Sequence, residues 1–377
     1  MPHLPLTKEY SQCAFTQKNH KLARMLLSKG HEVFVYGVGY TDIEHQNFKY
    51  FDVVSMDDVK EAWGDGDNRF ELGYDHSNGG FRHDINSEVT NCTKKFRQNT
   101  INLINQNKKD DDFLLLSQGF YHKPIAEAVN LYLTCEPGIG YRGSFAKFRS
   151  FESAYIQNFT YGSEHPRQSI NGNYYDRVIP NYFDLDDFEF SDKPDDYLFY
   201  IGRIIIRKGV GTAIKVARYL DKKIVVAGQL SNEQIEGFHY NRYKKLEYVG
   251  TVGVEDRKKL LSKALVTFLP TLYLEPFGGT SVESMLSGTP AITTNFGVFP
   301  ETVINGVSGY RCDTLDDFVQ NTKMALNLDR RGVRDYAVSK FSLDPVNELY
   351  EKWWSDLYRL YQSTKDKNIK AWSFVKI

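Results

Sequence analysis

Two runs of alternating strand-like and helix-like segments constrain this chain more than any other feature. In the first run, residues 18–28 place apolar side chains at helical spacing, and Gly30 stops that helix. Three short apolar segments predict buried strands: 32–36, 112–116 and 131–135. Residues 125–129 predict a further helix, and Pro137 with Gly138 is predicted to end the last strand. Such alternation favours an α/β fold with a parallel sheet.

The second half repeats this alternation after a polar, proline-marked segment. Residues 186–194 are rich in acidic residues, which indicates a connection between domains. Five strands are then predicted: 197–201, 223–227, 246–249, 265–269 and 290–293. A length of 377 residues also favours two domains. We therefore predict two facing Rossmann-like domains with a deep cleft between them, residues 1–180 and 181–345.

Composition excludes several classes of protein. Hydrophobic residues make up 41% of the chain and charged residues 25%, and no apolar run approaches the roughly 20 residues of a membrane span. The net charge of −1 provides no overall field for nucleic acid. The four cysteines form no C-x-x-C pair, so neither a disulfide framework nor a structural metal is expected. We predict a soluble, cytoplasmic protein without a transmembrane segment, whose polar residues 56–97 form loops and short helices.

One segment combines a strand, a glycine turn and two cations before a helix. Gly202 lets the backbone approach a ligand, Arg203 can bind two phosphate oxygens, and Lys208 adds a point charge. These groups are expected at the carboxyl edge of a parallel sheet, where α/β proteins bind ligands. The pattern predicts a diphosphate site, while a surface Arg and Lys beside an ordinary turn is the alternative.

A second segment places two carboxylates, Glu275 and Glu283, around a glycine pair. Gly278 and Gly279 hold an open loop at a helix N-terminus, whose free N–H groups can receive diphosphate oxygens and sugar hydroxyls. The two glutamates can accept hydrogen bonds from hydroxyl groups. An exposed helical carboxylate is the alternative for Glu283, but the flanking Pro-Phe-Gly-Gly and Ser-Gly-Thr-Pro sequences favour a binding loop.

These two segments resemble those of retaining glycosyltransferases of family 4, which have the GT-B architecture. The resemblance covers residues 179–312. It implies that Gly202, Arg203 and Lys208 bind the donor's diphosphate, and that Glu275 and Glu283 bind the donor sugar and the ribose. It also implies donor-binding positions in the nucleobase segment and the glycine loop: Val249, Thr251, Phe277, Gly278, Gly279 and Thr280.

The family's C-terminal helix crosses back onto the first domain, and the resemblance implies the same for residues 346–377. Four apolar residues there have helical spacing: Leu349, Trp353, Leu357 and Leu360. Residues 346–377 are therefore expected to complete the first domain.

The first half departs from the family pattern. The family usually begins with a complete strand and a Gly-Gly loop, whereas residues 1–6 barely form a strand and residues 7–11 replace the glycines. We therefore expect a longer native N-terminus. Residues 10–17 resemble a divergent branch associated with phage and environmental sequences, which implies the cytoplasm of a virus-infected host cell as the setting.

Two residues are candidates for a catalytic role on the acceptor side. Glu136 stands where the family commonly has a histidine near the transferred sugar. It could accept the acceptor's proton or a sugar hydroxyl, or it could cap the following helix. His122 follows the strand at 112–116 and is expected at the cleft edge, either as a rival to Glu136 or as an ordinary loop histidine.

The function expected from these features is a retaining transfer of a sugar from a nucleoside diphosphate sugar to an acceptor hydroxyl. Arg203, Lys208 and Glu275 would act in catalysis, and neither a metal nor a cofactor is expected. The acceptor stays open among glycan, lipid, protein and modified DNA. A sugar-nucleotide epimerase of the same architecture and a non-catalytic nucleotide-sugar-binding protein are the alternatives.

Overall fold

The computed structural model describes residues 4–10, 13–63, 90–164, 172–239, 242–366 and 368. Its strands are β1 Val33–Val38, β2 Phe48–Val54, β3 Phe113–Leu115, β4 Leu133–Ile139, β5 Phe148–Phe151, β6 Arg177–Val178, β7 Leu198–Ile201, β8 Ile224–Ala227, β9 Leu246–Gly250, β10 Thr267–Leu269, β11 Ala291–Thr294 and β12 Gly309–Cys312. Its helices are α1 Ala14–Ser28, α2 Met56–Trp63, α3 Asn91–Asn107, α4 Lys123–Val129, α5 Ala154–Glu164, α6 Val210–Tyr219, α7 Val254–Lys263, α8 Gly279–Leu286, α9 Phe299–Thr302, α10 Leu315–Ala325, α11 Arg330–Phe341 and α12 Leu343–Lys365. Part of the predicted loop region at 56–97 lies outside the described residues.

The second half folds around a six-stranded parallel sheet in the order β12-β11-β10-β7-β8-β9. All five strands predicted after the polar segment are confirmed. The sheet is buried between helices, because its apolar side chains, such as Phe199, Val226 and Ile292, are almost completely inaccessible. Strands β7 to β9 follow one another towards one edge of the sheet, and strands β10 to β12 follow one another towards the other edge. This change of direction between β7 and β10 creates a crevice at the carboxyl ends of the strands.

The first half contains two parallel sheets, β1-β2 and β3-β4-β5-β6. A cavity of about 680 Å³ lies between β1 and β3 and is lined by Val33, Val35 and Leu114, among others. Leu6 forms a parallel bridge with Thr41, so residues 4–6 run beside the chain just beyond β1.

The predicted end of β4 at Pro137 and Gly138 is wrong. The strand continues to Ile139, and its pairing with β5 shifts register between Glu136 and Ile139. A proline can be accommodated at such an irregularity because no regular ladder hydrogen bond is needed there.

Helix α12 packs on the first half of the chain, as predicted. Trp353 is buried against α1 and β4, and its indole Nε1 donates to the carbonyl of Tyr175 at 2.7 Å. The predicted face is wrong at one position, since Leu349 is 44% exposed while Tyr350 is buried. In the part of the chain that is described, no helix is long and apolar enough to cross a membrane.

The chain passes between its two halves twice, at adjacent points. Phe183 forms a parallel bridge with Ser342, and the Phe183 N–H donates to the carbonyl of Phe341 at 2.9 Å. The outgoing and returning segments therefore support each other beside the crevice.

Candidate functional site

The carboxyl ends of β7, β8 and β9 meet at a set of closely packed backbone turns. The Gly202 N–H donates to the Ala227 carbonyl at 3.0 Å, and the Gly228 N–H donates to the Gly250 carbonyl at 2.7 Å. A Cβ atom on Gly228 would lie 1.9 Å from the Gly202 carbonyl oxygen. Only glycine fits at position 228, so these turns form a closely packed, half-buried backbone surface at the sheet edge.

Arg203 extends from this surface. Its side chain is exposed, and among the described residues it forms no ion pair. Its planar guanidinium is therefore available to bind two oxygens of one anionic group.

Lys208 is placed by a tight turn before α6. Gly209 adopts the left-handed conformation with φ +75°, and a Cβ atom there would lie 1.9 Å from the Pro270 carbonyl oxygen. The backbone at Gly209 therefore lies close to the loop that follows β10. At this position Lys208 reaches the side chains of that loop.

Lys208, Tyr273 and Glu275 form one hydrogen-bonded group. The Lys208 ammonium donates to Glu275 Oε2 at 2.8 Å and to the Tyr273 hydroxyl at 2.6 Å. The Tyr273 hydroxyl in turn donates to the same Oε2 at 2.6 Å. Burial and the neighbouring Glu275 charge raise the pKa of Tyr273, which keeps its hydroxyl protonated and able to donate.

This group leaves two polar positions for a ligand. A lysine ammonium has three N–H donors, and Lys208 directs two of them to Tyr273 and Glu275. Both donors to Glu275 bind Oε2, and among the described residues no donor reaches Oε1. The site can therefore donate to a phosphate oxygen and accept from a hydroxyl.

The glycine loop leads directly into α8. Gly278 is left-handed with φ +70° and forms the N-cap without a side chain, so the first N–H groups of α8, which begins at Gly279, face the loop. Thr280 follows and is half-buried. Phe277 differs from expectation, because its ring is buried against Phe183 and Phe341 and anchors the loop in the core.

Glu283 lies on α8 among cations. Its Oε1 is 3.9 Å from Arg257 Nη1, and its side chain is 19% exposed. Lys21, on α1 of the first half, is close enough to Glu283 for the carboxylate charge to affect the pKa of the lysine. Burial lowers the pKa of Lys21, and Asp187 and Glu283 offset this only in part. Glu283 is thus positioned at the junction of the two halves.

The predicted nucleobase segment lies at the same sheet edge. Val249 is half-buried at the end of β9, and Thr251 is exposed just beyond it. The neighbouring Tyr248 hydroxyl donates to the Gly228 carbonyl at 2.8 Å. Val249 and Thr251 therefore border the turns that carry Arg203.

The glycine loop also contacts the first half of the chain. The Ser153 hydroxyl donates to the Pro276 carbonyl at 2.7 Å. The first two N–H groups of α5, on Ala154 and Tyr155, donate to the Glu301 carboxylate at 2.7 and 2.8 Å. These three hydrogen bonds join the two halves of the chain beside the glycine loop, and sequence reasoning missed them.

Glu136 is not placed with these groups. It is completely buried, and its carboxylate accepts the N–H groups of Phe145 and Ala146 at 2.6 and 2.8 Å and the Tyr141 hydroxyl at 3.2 Å. Burial raises the pKa of Glu136, and these donors partly offset the effect. The carboxylate holds the loop that follows β4, much as an N-cap would.

His122 is also away from the crevice, which corrects the expectation that it lies at the cleft edge. It is 7% exposed, stacks on Phe96 and borders the cavity between β1 and β3. Neither ring nitrogen has a partner among the described residues. Burial lowers the pKa of His122 well below its usual value, so the ring is neutral.

Comparison with known proteins assigns the part of the chain that carries this site. A family model described as glycosyl transferases group 1 matches residues 183–335. We refer to the matched residues as the group 1 domain. The chain is 32% identical to glycogen synthase from Mycobacterium tuberculosis over 127 residues, which are 32% of this chain and 30% of that protein. The match thus spans 30% of that relative's length.

Two solved structures are similar along most of the chain. AviGT4, a glycosyltransferase involved in avilamycin A biosynthesis, has a TM-score of 0.61 and 17% identity, with 91% of this chain and 89% of that chain covered. Anabaena HepE in complex with UDP and glucose has a TM-score of 0.58 and 12% identity, with 89% and 95% covered. The group 1 domain is therefore part of a GT-B fold, as predicted.

Proposed function

We propose that this chain transfers a sugar from a nucleoside diphosphate sugar to an acceptor hydroxyl, with retention at the anomeric carbon and without a metal ion. The observation that carries the proposal is the grouping of Arg203, Lys208 and Glu275 beside the N-terminus of α8. The group 1 glycosyl transferase match supports it independently.

The diphosphate would lie between the two cations and the start of α8. Arg203 would bind two of its oxygens, and the third N–H of Lys208 would bind another. During transfer, the bond from the anomeric carbon to the phosphate oxygen breaks and its electron pair stays on the diphosphate. Fixed cations and helix N–H groups stabilise this growing negative charge.

The two carboxylates would bind the sugar and the ribose. Glu275 Oε1 would accept a hydrogen bond from a sugar hydroxyl, since its other oxygen is occupied by Lys208 and Tyr273. Glu283, fixed near Arg257, would accept from the ribose hydroxyls. Val249 and Thr251 would border the nucleobase.

The acceptor oxygen would bond to the anomeric carbon, and its proton would pass to the departing phosphate oxygen. This route balances the reaction without Glu136 or His122, both of which are buried in the first half. The acceptor itself stays open among glycan, lipid, protein and modified DNA.

The first experiment identifies the donor. UDP-glucose, with which a structure of HepE has been solved in complex, is compared with ADP-glucose and GDP-mannose by thermal shift. We expect one of them to raise the melting temperature, because a ligand that binds only the folded state stabilises it. No shift with a broad panel of nucleoside diphosphate sugars would contradict the proposal.

The second experiment tests the role of Lys208. Lys208→Ala should reduce release of nucleoside diphosphate from the identified donor by about 10²–10³-fold, as loss of one charge-stabilising donor does in other enzymes. Lys215→Ala is the matched control, since Lys215 pairs with Glu236 at 3.0 Å on an exposed face of α6. Full activity of Lys208→Ala would refute the assignment.

The products separate the proposal from its alternatives. A transferase releases the free nucleoside diphosphate, an epimerase returns a nucleotide still joined to an altered sugar, and a binding protein releases nothing. Mass spectrometry of the reaction mixture detects the free nucleoside diphosphate of a transferase. Because epimers have the same mass as the donor, proton NMR of the recovered nucleotide sugar then separates an epimerase from a binding protein.

A further inference from the structure

Tyr273 has no role of its own in the proposed transfer, although its hydroxyl contacts both Lys208 and Glu275. It accepts from Lys208 and donates to Glu275, each at 2.6 Å. It stands two residues before Glu275 in the loop that follows β10, so both side chains of this contact come from one short segment of the chain.

The backbone around Tyr273 is fixed at both ends. The Leu272 N–H donates to the Arg207 carbonyl at 2.8 Å, and the Glu275 carbonyl accepts from the Val298 N–H at 3.2 Å. The Arg207 guanidinium also lies 5.5 Å from the centre of the Tyr273 ring. The tyrosine side chain, with only two rotatable bonds, is thus held rigidly.

Lys208 is a less constant partner for Glu275. Its side chain has four rotatable bonds, and the proposed function requires its ammonium to bind the diphosphate as well. Any movement of Lys208 towards phosphate weakens its bond to Glu275 Oε2. The Tyr273 hydroxyl can hold the same oxygen throughout.

We propose that Tyr273 is the positioning residue for Glu275: it fixes Oε2 so that Oε1 stays directed at the donor sugar. This inference rests on the proposed function, because it assigns the sugar contact to Glu275. It makes Tyr273 a determinant of sugar binding rather than of diphosphate binding.

The test compares a nucleotide sugar with its free diphosphate. UDP-glucose, ADP-glucose and GDP-mannose, with UDP, ADP and GDP, are titrated against the wild-type chain and Tyr273→Phe by calorimetry. Loss of a hydrogen bond to a charged group should weaken binding of the nucleotide sugar by about tenfold. Affinity for the free diphosphate should change less than about twofold, because that ligand lacks the sugar.

A double-substitution cycle separates positioning from general structural damage. Because Tyr273 acts through Glu275, the double variant Tyr273→Phe/Glu275→Ala should bind the nucleotide sugar with the same affinity as Glu275→Ala alone. Tyr197→Phe is the matched control, since its hydroxyl donates to the Leu260 carbonyl at 2.8 Å, at the opposite end of β7. It should bind both ligands like the wild type.

The outcomes are distinguishable. Equal loss of both ligands in Tyr273→Phe, no loss of either, or additive effects in the cycle would overturn the positioning role while leaving the proposed function intact. Failure of the wild-type chain to bind any nucleotide would overturn the proposed function and the role of Tyr273 together.

Discussion

The contact between Glu301 and the start of α5 gives a quantitative prediction about how the two halves of the chain are held together. Glu301 follows the glycine loop in the group 1 domain, and it accepts the N–H groups of Ala154 and Tyr155 on the first half. With the bond from Ser153 to Pro276, it joins the halves directly beside the proposed donor site. Glu301→Ala should therefore favour separation of the halves.

The magnitude follows from the geometry. Hydrogen bonds to a charged acceptor contribute about 1.5–3 kcal/mol each, but Glu301 is exposed, so solvent reduces the pair to about 1–2 kcal/mol in total. This free energy corresponds to a factor of about 5–30 in the ratio of joined to separated molecules. Donor turnover should fall by no more than this factor if transfer requires the joined arrangement.

Single-molecule energy transfer measures that ratio. The cysteines of the chain are buried, so dyes on Glu127→Cys in α4 and Lys323→Cys in α10, both exposed, report the distance between the halves. Glu233→Gln is the control, because Glu233 accepts a hydrogen bond from the Ile206 N–H and both residues lie within the group 1 domain. An unchanged ratio in Glu301→Ala would refute the reasoning.

Three further predictions concern stability. Gly209→Ala should lower the free energy of unfolding by at least about 1 kcal/mol, because the added Cβ would clash with the Pro270 carbonyl. Thermal unfolding measures this loss, and a wild-type melting temperature would contradict the prediction. Trp353→Ala should lower the free energy of unfolding by urea by about 3–5 kcal/mol, because it empties a buried site and removes the hydrogen bond to the Tyr175 carbonyl; a change below about 1 kcal/mol would be inconsistent with that packing. Burial lowers the pKa of His122 in the folded state, so the unfolded chain binds a proton at this residue at a higher pH than the folded chain does. The free energy of unfolding should therefore fall by about 1.4 kcal/mol per pH unit as the pH decreases below about 6.5. His122→Phe should remove that slope between pH 6.5 and 5, and identical slopes for the two proteins would disprove the assignment.

The sequence allowed good prediction of the elements that position the candidate site. A continuous apolar stretch such as 224–227 favours a strand buried in a sheet, and the carboxyl ends of such parallel strands lie at the same edge. Arg203, Lys208 and Glu275 were predictable because each lies in a segment that connects a strand to the next helix, and the glycines at 209 and 278 permit the turns. β2 and β12 were missed because their polar and apolar residues mix without a clear period.

Glu136 and His122 show where the same reasoning fails. Glu136 was expected just past a strand but lies within β4, where backbone N–H groups of the following loop cover its carboxylate. His122 follows β3 along the chain, but its imidazole is buried against the Phe96 ring. The depth of a loop depends on long-range packing, which local sequence does not specify. The contact between Glu301 and α5 was missed for the same reason, since 146 positions separate Glu301 from Tyr155.

The central claim is that Arg203 and Lys208 hold the diphosphate of a nucleotide donor, and calorimetry tests it most directly. The free nucleoside diphosphate of the identified donor is titrated against the wild-type chain, Arg203→Ala, Lys208→Ala and the Lys215→Ala control. Each of the two site variants should lose about 10–100-fold in affinity, since each loses a charge-assisted hydrogen bond, and the control should lose none. Wild-type affinity in both site variants would contradict the account.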